Sequence, residues 1–291
     1  MAEFNRIKLI ANPVAGKGAR GKTERAAGIL RSSGCEVDLY FTRAAGDGER
    51  EAAETIGQDY SLIIAAGGDG TLNEVLNGIH GSTLPVSFLP LGTTNVFALE
   101  IGMPFAVDRA CAKILAGQIE KVYLGRVNGR LFSLMVSAGF DAETVHQVSS
   151  RLKKRLGKGA YVVSALQQFW GYRFPRFQVS DGSGRLVEGC GVVISKARCY
   201  GGRFVLTPDA SIREPSLEVC VLTRSGRLAM LTYSLCMILR RPFPARMATL
   251  FRSCSVAIEG EGVAVQVDGD EHPRTPAIIT LEPEPVYLVL P

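Results

Sequence analysis

The amino-acid sequence predicts an α/β domain built on a parallel sheet, followed by a β-rich and mostly antiparallel domain. Two observations predict it. Residues 1–121 alternate short apolar runs with helical segments, the grammar of crossover connections and a parallel sheet. From residue 122 onward strand-like runs follow one another, the first two joined by Asn128-Gly129, the preferred pair for a tight hairpin turn. The domains are therefore placed at 1–121 and 122–291, with room for the extreme C-terminus to pack back on the first.

Each element has its own warrant. Ile7–Ala11 is a short apolar run and reads as a buried strand. Thr23–Ser33 has helical spacing and stops at Gly34. Glu36–Phe41 alternates, with Val37, Leu39 and Phe41 on one face. Gly48–Gln58 is a polar helix, Ser61–Ala66 a buried strand, Thr71–Gly78 a helix, Val86–Leu89 a strand and Asp108–Ala116 a helix. In the second domain a further hairpin turn falls at Asp181–Gly184. Strands are expected at Val187–Ser195, Leu217–Leu222, Val256–Glu259, Val263–Val267 and Val286–Leu290. The helical insertions are Gly159–Trp170 and Arg227–Arg240.

Composition narrows the function. A chain of 291 residues with 46% hydrophobic and 21% charged residues is that of a soluble globular protein of two domains. A net charge of +5 suits anionic ligands or an anionic membrane face and is too small to argue for nucleic acid. Seven scattered cysteines without a C-x-x-C pair, and three scattered histidines, argue against structural zinc and for a reduced, cytoplasmic setting. The N-terminus is no signal peptide. The apolar run around Leu228–Leu239 is too short to span a bilayer, so membrane contact is expected to be peripheral.

Three loops carry phosphate chemistry. Gly16–Thr23 (GKGARGKT) matches the pattern of the P-loop. Four residues separate Ala11 from Gly16, however, and a P-loop follows its strand directly, so the match reads as coincidental. Gly67-Gly68-Asp69-Gly70-Thr71 lies between a buried strand and a helix, where exposed amides and the helix terminus favour phosphate. Asp69 can hold magnesium, directly or through water, and Thr71 can cap the helix or bind a phosphate oxygen. A plain strand-to-helix turn is the alternative. Asn12–Lys17 follows the first strand and Leu91–Asn95 follows Val86–Leu89. Loops after parallel strands gather along one sheet edge, where ligands bind.

In this order and spacing, IANPVAGKG, GGDGTLNEVLNG and LPLGTTNVFA resemble the diacylglycerol kinase/sphingosine kinase catalytic family, including its bacterial lipid kinases. The resemblance continues through VSAGFDAE (136–143), RLKKRLGKGAYVVSAL (151–166) and QVDGDE (266–271), and covers essentially the whole chain. It implies a Rossmann-like N-terminal domain and a sandwich-like C-terminal domain. It also implies an ATP- and magnesium-dependent kinase of a lipid hydroxyl, most readily diacylglycerol, in phospholipid synthesis. By the same resemblance Asn12, Lys17, Gly67, Gly68, Asp69, Gly70, Thr71, Thr93 and Asn95 bind the nucleotide. Asp69 is the expected metal contact. Asp268 matches the proposed catalytic base, and Asp270 stands where the family more often has Glu. The bare DGDE stretch also reads as an ordinary hairpin turn.

Some positions depart from that pattern. Tyr123-Leu124-Gly125 stands where the family usually has Asp-x-Gly, Arg213-Glu214-Pro215 where it has Asp-Asp-Gly, and Val96 where Asp is common. These changes bring the acidic metal network into question and weaken the case for a structural magnesium site. A catalytically impaired lipid- or nucleotide-binding protein is one rival; an NAD kinase, which shares GGDGT, is another. The basic stretch Arg151–Lys158 and the aromatic stretch Phe169–Phe177 suit a membrane interface, or else a solvated helix face and core aromatics. A homodimer is compatible with the sequence.

Overall fold

A computed structural model of the chain describes residues 4–147 and 169–291. The basic stretch 151–158 and most of the helix expected over Gly159–Trp170 lie outside the described residues. The chain divides into two compact units, Met1–Tyr123 with Glu284–Pro291, and Leu124–Pro283.

In the first unit the strands are β1 (Arg6–Ala11), β2 (Glu36–Phe41), β3 (Leu62–Gly67), β4 (Val86–Pro90) and β5 (Gln118–Val122). The helices are α1 (Ala19–Ser32), α2 (Asp47–Thr55), α3 (Asp69–Gly78), α4 (Val96–Ile101) and α5 (Val107–Ala116). The last strand of the chain, Val286–Leu290, inserts between β4 and β5 to give the order β2-β1-β3-β4-last-β5. It runs parallel to β4 and antiparallel to β5. Every residue of β3 is buried, which requires cover on both faces. Two helix pairs, α1 with α5 and α2 with α3, accompany the sheet. Helix α1 begins at Ala19, four residues before the expected start. The Thr23 hydroxyl bonds to Ala19 O within it, so Lys22-Thr23 does not open a helix as a P-loop would.

The second unit is antiparallel. In chain order it holds β6 (Gly125–Val127), β7 (Arg130–Phe132), β8 (Met135–Gly139), α6 (Phe140–Gln147), β9 (Phe177–Asp181), β10 (Leu186–Gly189) and β11 (Gly191–Ser195). It continues with β12 (Cys199–Tyr200), β13 (Phe204–Val205), β14 (Leu217–Leu222), α7 (Arg227–Ile238), β15 (Ala248–Ser253), β16 (Ser255–Glu259), β17 (Val265–Val267), β18 (Asp270–His272) and β19 (Ala277–Leu281). One sheet runs β10-β9-β16-β19-β6-β7 and the other β15-β14-β11-β8-β17-β18. Alternate residues of both sheets, among them Val127, Val136, Ile194, Val219, Val256 and Ile279, form one buried apolar cluster. Asn128 and Gly129 both have positive φ (45° and 91°), as the two-residue hairpin turn demands. The strand expected over Val187–Ser195 is two strands, parted at Cys190 as the chain passes from one sheet to the other.

Lys196, just past β11, is fully buried. Its ammonium donates to the backbone carbonyls of Ser211 (3.0 Å), Glu214 (2.5 Å) and Ser216 (2.9 Å). The loop carrying Arg213-Glu214-Pro215 is thus gathered around the protein's own cation. Burial lowers the lysine pKa from 10.5 to about 8, against the pull of Glu214. Below that value folded and unfolded chains both carry the charge and its burial weighs against the fold. Between about 8 and 10.5 the folded chain gives up its proton first, so the penalty is relieved as pH rises. Lys196→Met is expected to lose about 2 kcal/mol in urea unfolding, because the carbonyls lose their donor. The stability of the wild-type chain relative to that variant is expected to grow as pH is raised through this window; a constant difference would contradict the account.

Candidate functional site

Because β1, β3 and β4 are parallel, the loops after them emerge on one edge of the sheet. Backbone hydrogen bonds draw them together. Asn12 N–H donates to Ala66 O (2.9 Å), and the N–H groups of Leu91 (2.7 Å) and Gly92 (2.9 Å) share Gly67 O. A Cβ on Gly16 would stand 2.3 Å from Leu91 O, and one on Gly92 would stand 2.6 Å from Gly68 Cα. Neither place admits a side chain, so the three loops meet only because glycine occupies both.

The expected residues take distinct places here. Lys17, Gly70 and Thr93 are exposed, and Asn12, Gly68 and Asp69 are half-buried. The Asn12 side chain accepts from Val14 N–H (3.0 Å) and shapes its own turn. Thr71 is buried and caps nothing: the N-cap of α3 is Gly68, and the Thr71 side chain packs against Gly67. Asp69 accepts from the amides of Val96 (2.9 Å) and Phe97 (3.0 Å), tying the third loop to the second. Asn95, 1% exposed, holds a left-handed conformation (φ 47°, ψ 57°) and donates from Nδ2 to Gly92 O (2.8 Å). Its Oδ1 has no hydrogen-bond partner and lies about 4.0 Å from where a Gly68 Cβ would stand. A lone acceptor there suits a hydroxyl or a metal-bound water and repels a phosphate oxygen.

Sequence reasoning missed several neighbours. Beside the first loop, Pro13, Arg20, Phe41, Thr42 and Arg43 line a hollow, with the Arg20 guanidinium 4.5 Å over the Phe41 ring. Two cations thus stand beside the glycine loops. In the signature itself, Glu74 accepts from Gly46 N–H (2.9 Å) and Gly48 N–H (3.0 Å). It seats the start of α2 on α3, so this half of the motif serves packing.

In the second unit, Asp268 and Gly269 form the two-residue turn between β17 and β18, with φ of 51° and 90°. The Asp268 carboxylate is held by Ser133 N–H (2.8 Å) and Oγ (3.1 Å), Leu134 N–H (2.9 Å) and Met135 N–H (2.9 Å). Burial pushes its pKa above the ordinary carboxylate value, and these donors offset that only in part. Asp270 is exposed. Behind the turn lies a polar cluster. Ser137 Oγ donates to Asp141, and Gln266 Nε2 donates to Ser137 Oγ (2.8 Å). Gln266 Oε1 accepts from Gly269 N–H (2.8 Å). Tyr200 hydrogen-bonds Asp141, and burial pushes its phenol well above the usual range. The segments around Ser137 and Gln266 were visible as motifs, but nothing in their spacing marked these side chains as partners.

A metal fits this donor set poorly as a resident ion. Among the described residues no three His, Cys, Asp or Glu side chains cluster to hold one. Asp69 is committed to two amides, and Tyr123 stands where a second carboxylate was expected.

An open parallel α/β sheet with glycine loops on its carboxyl edge, followed by an antiparallel sandwich, is the build of a ligand-binding α/β domain with a β companion. The sequence profile of the diacylglycerol kinase catalytic domain matches residues 6–127. That of the YegS C-terminal NAD kinase beta sandwich-like domain matches residues 134–290. A Pseudomonas putida protein named "Probable lipid kinase YegS-like" is 35% identical over 212 residues, 71% of each chain. The diacylglycerol kinase of Bacillus subtilis is 31% identical over 233 residues, 77% of this chain and 75% of that one. The crystal structure of a diacylglycerol kinase from Bacillus anthracis superposes with a TM-score of 0.76 over 100% of this chain and 98% of the other. Its 20% identity speaks for the fold alone. The chain belongs to the diacylglycerol kinase catalytic family of lipid kinases, with a YegS-type C-terminal domain.

Two substitutions probe the loop junction. Gly92→Ala is expected to lose about 1–3 kcal/mol in urea unfolding, since its methyl meets backbone. Gly28→Ala, whose Cβ would meet nothing within 4 Å, is expected to be neutral or stabilising by up to about 1 kcal/mol. Equal effects would show that the close approach carries no weight.

Proposed function

We propose that this chain transfers the γ-phosphoryl group of ATP to the hydroxyl of a lipid alcohol, diacylglycerol in the first instance, giving ADP and phosphatidate. The observation that carries the proposal is the meeting of three glycine-bearing loops on one sheet edge, in a chain of lipid kinase family. Phosphoryl transfer asks mainly for positioning and charge neutralisation. Backbone amides at Gly67–Gly70 and the Lys17 ammonium meet the phosphates, with Asn12, Thr71 and Thr93 shaping the loops around them. The orphan Oδ1 of Asn95 accepts from a nucleotide hydroxyl or a metal-bound water. Magnesium, entering as part of the nucleotide substrate, would supply neutralisation of phosphate charge, and Asp69, whose oxygens already hold two amides, is the side chain we place beside its water shell.

The acceptor oxygen bonds to the γ-phosphorus as the bond to the β-phosphate oxygen breaks, and its proton passes to a carboxylate. Asp268, with its raised pKa, is our first assignment for that carboxylate. A second reading follows from the four donors already on Asp268. In it Asp268 positions Ser133–Met135 and the exposed Asp270 takes the proton. The setting we propose is the cytoplasmic face of a membrane, approached from water. Among the described residues no helix is long and apolar enough to cross one.

Labelled ATP with a panel of lipids tests the whole proposal, and transfer to diacylglycerol is the expected result. Transfer to NAD alone, or nucleotide binding without transfer to any lipid, would overturn it. Asp268→Asn is expected to lower kcat by about 10²–10⁴-fold and Asp270→Asn far less. The opposite ranking would favour the second reading.

A further inference from the structure

Helix α7 is apolar almost all round (RLAMLTYSLCMI), a composition that normally marks a buried helix. Here only Tyr233 is buried. Its hydroxyl donates to Met247 O (2.6 Å) and accepts from Arg224 N–H (3.2 Å), and its ring meets Phe243 edge-on at 5.3 Å. That anchor fixes the helix and turns the rest outward. Leu228, Leu231, Leu235, Ile238 and Leu239 recur at helical spacing on one face and are all exposed, Leu228 to 81% and Ile238 to 65%. Phe204 and Val205 of the adjoining strand β13 are exposed too.

The charges on this segment have one sign. Between Arg224 and Met247 the sequence holds five arginines, at 224, 227, 240, 241 and 246, and no Asp or Glu. All five are exposed. Arg227 donates to Trp170 O (2.5 Å) and lies 5.4 Å over the indole ring, which is itself 71% exposed. An apolar helical face rimmed by arginine, with an indole at its border, has the chemistry of a helix lying in the headgroup layer. A protein partner would need a complementary acidic rim. A second copy of the chain would set the same arginines against their like, at a repulsive price.

We propose that α7, with Trp170 and β13 beside it, is the surface by which the chain docks on an anionic lipid bilayer. This rests on the lipid kinase reading and locates where that reading meets its membrane. The basic stretch 151–158 is not needed for it.

Trp170 is the sole tryptophan, so its emission reports the event directly. The expected result with phosphatidylglycerol vesicles is a blue shift and co-sedimentation; phosphatidylcholine vesicles are expected to give much weaker binding. The double variant Leu231→Glu/Leu235→Glu changes only exposed positions. It is expected to keep the wild-type Tm and its activity on dispersed short-chain diacylglycerol, while binding phosphatidylglycerol vesicles at least about tenfold more weakly. Arg240→Ala/Arg241→Ala is expected to weaken binding to phosphatidylglycerol alone. Wild-type protein that ignores both vesicles, or a folded Glu variant that binds as well as wild type, would overturn the proposal. So would a wild-type dimer, free of lipid, that the Glu variant dissociates, since the face would then be covered by a second copy. Vesicle binding through α7 without transfer to any lipid would overturn the kinase reading and leave the docking surface standing.

Discussion

Close backbone approach at the carboxyl edge of the first sheet is the constraint on which the site depends. Gly16 lies where a methyl would strike Leu91 O, and Gly92 where it would strike Gly68. Removing those side chains lets three loops, distant in sequence, share one set of backbone hydrogen bonds through Ala66 O and Gly67 O. The Asp69 carboxylate then fixes the third loop by holding the first amides of α4. Dense glycine in this chain is therefore a packing requirement before it is a ligand requirement, and the two coincide because bare backbone is also what phosphate oxygens meet best.

Much of the architecture was legible. The fully apolar run Leu62–Ala66 announced a central parallel strand, and Asn128-Gly129 announced the first hairpin. The short elements were not: β12, β13 and β18 are two or three residues long and were not marked by any apolar run of their own. At the site, sequence order and spacing gave the loops, but not what the side chains do. Thr71, read as a helix cap or a phosphate contact, is packed against Gly67, and Glu74, to which no role was given, seats α2 on α3. Asp69, read as a possible magnesium contact, also ties down a helix that propensity gave no reason to expect. Each depends on a neighbour that no local pattern names.

The second unit shows carboxylate and ammonium used as struts. Asp268 collects three consecutive amides, and Lys196 collects three carbonyls from one loop. Both satisfy several backbone groups with one side chain, an economical answer where a turn leaves polar atoms away from water. At Arg213-Glu214-Pro215 the loop keeps one acidic side chain, and the carbonyls of Ser211, Glu214 and Ser216 surround the Lys196 ammonium.

The strand Val286–Leu290 has a consequence for biogenesis. β5 pairs with it along its whole length, and β4 meets it on its outer side, so the first sheet stays unfinished until those residues exist. On a ribosome the first unit emerges early, yet it must wait with an exposed edge while Leu124–Pro283 is translated. A chain stalled anywhere in that interval would carry the first sheet with β4 and β5 unjoined.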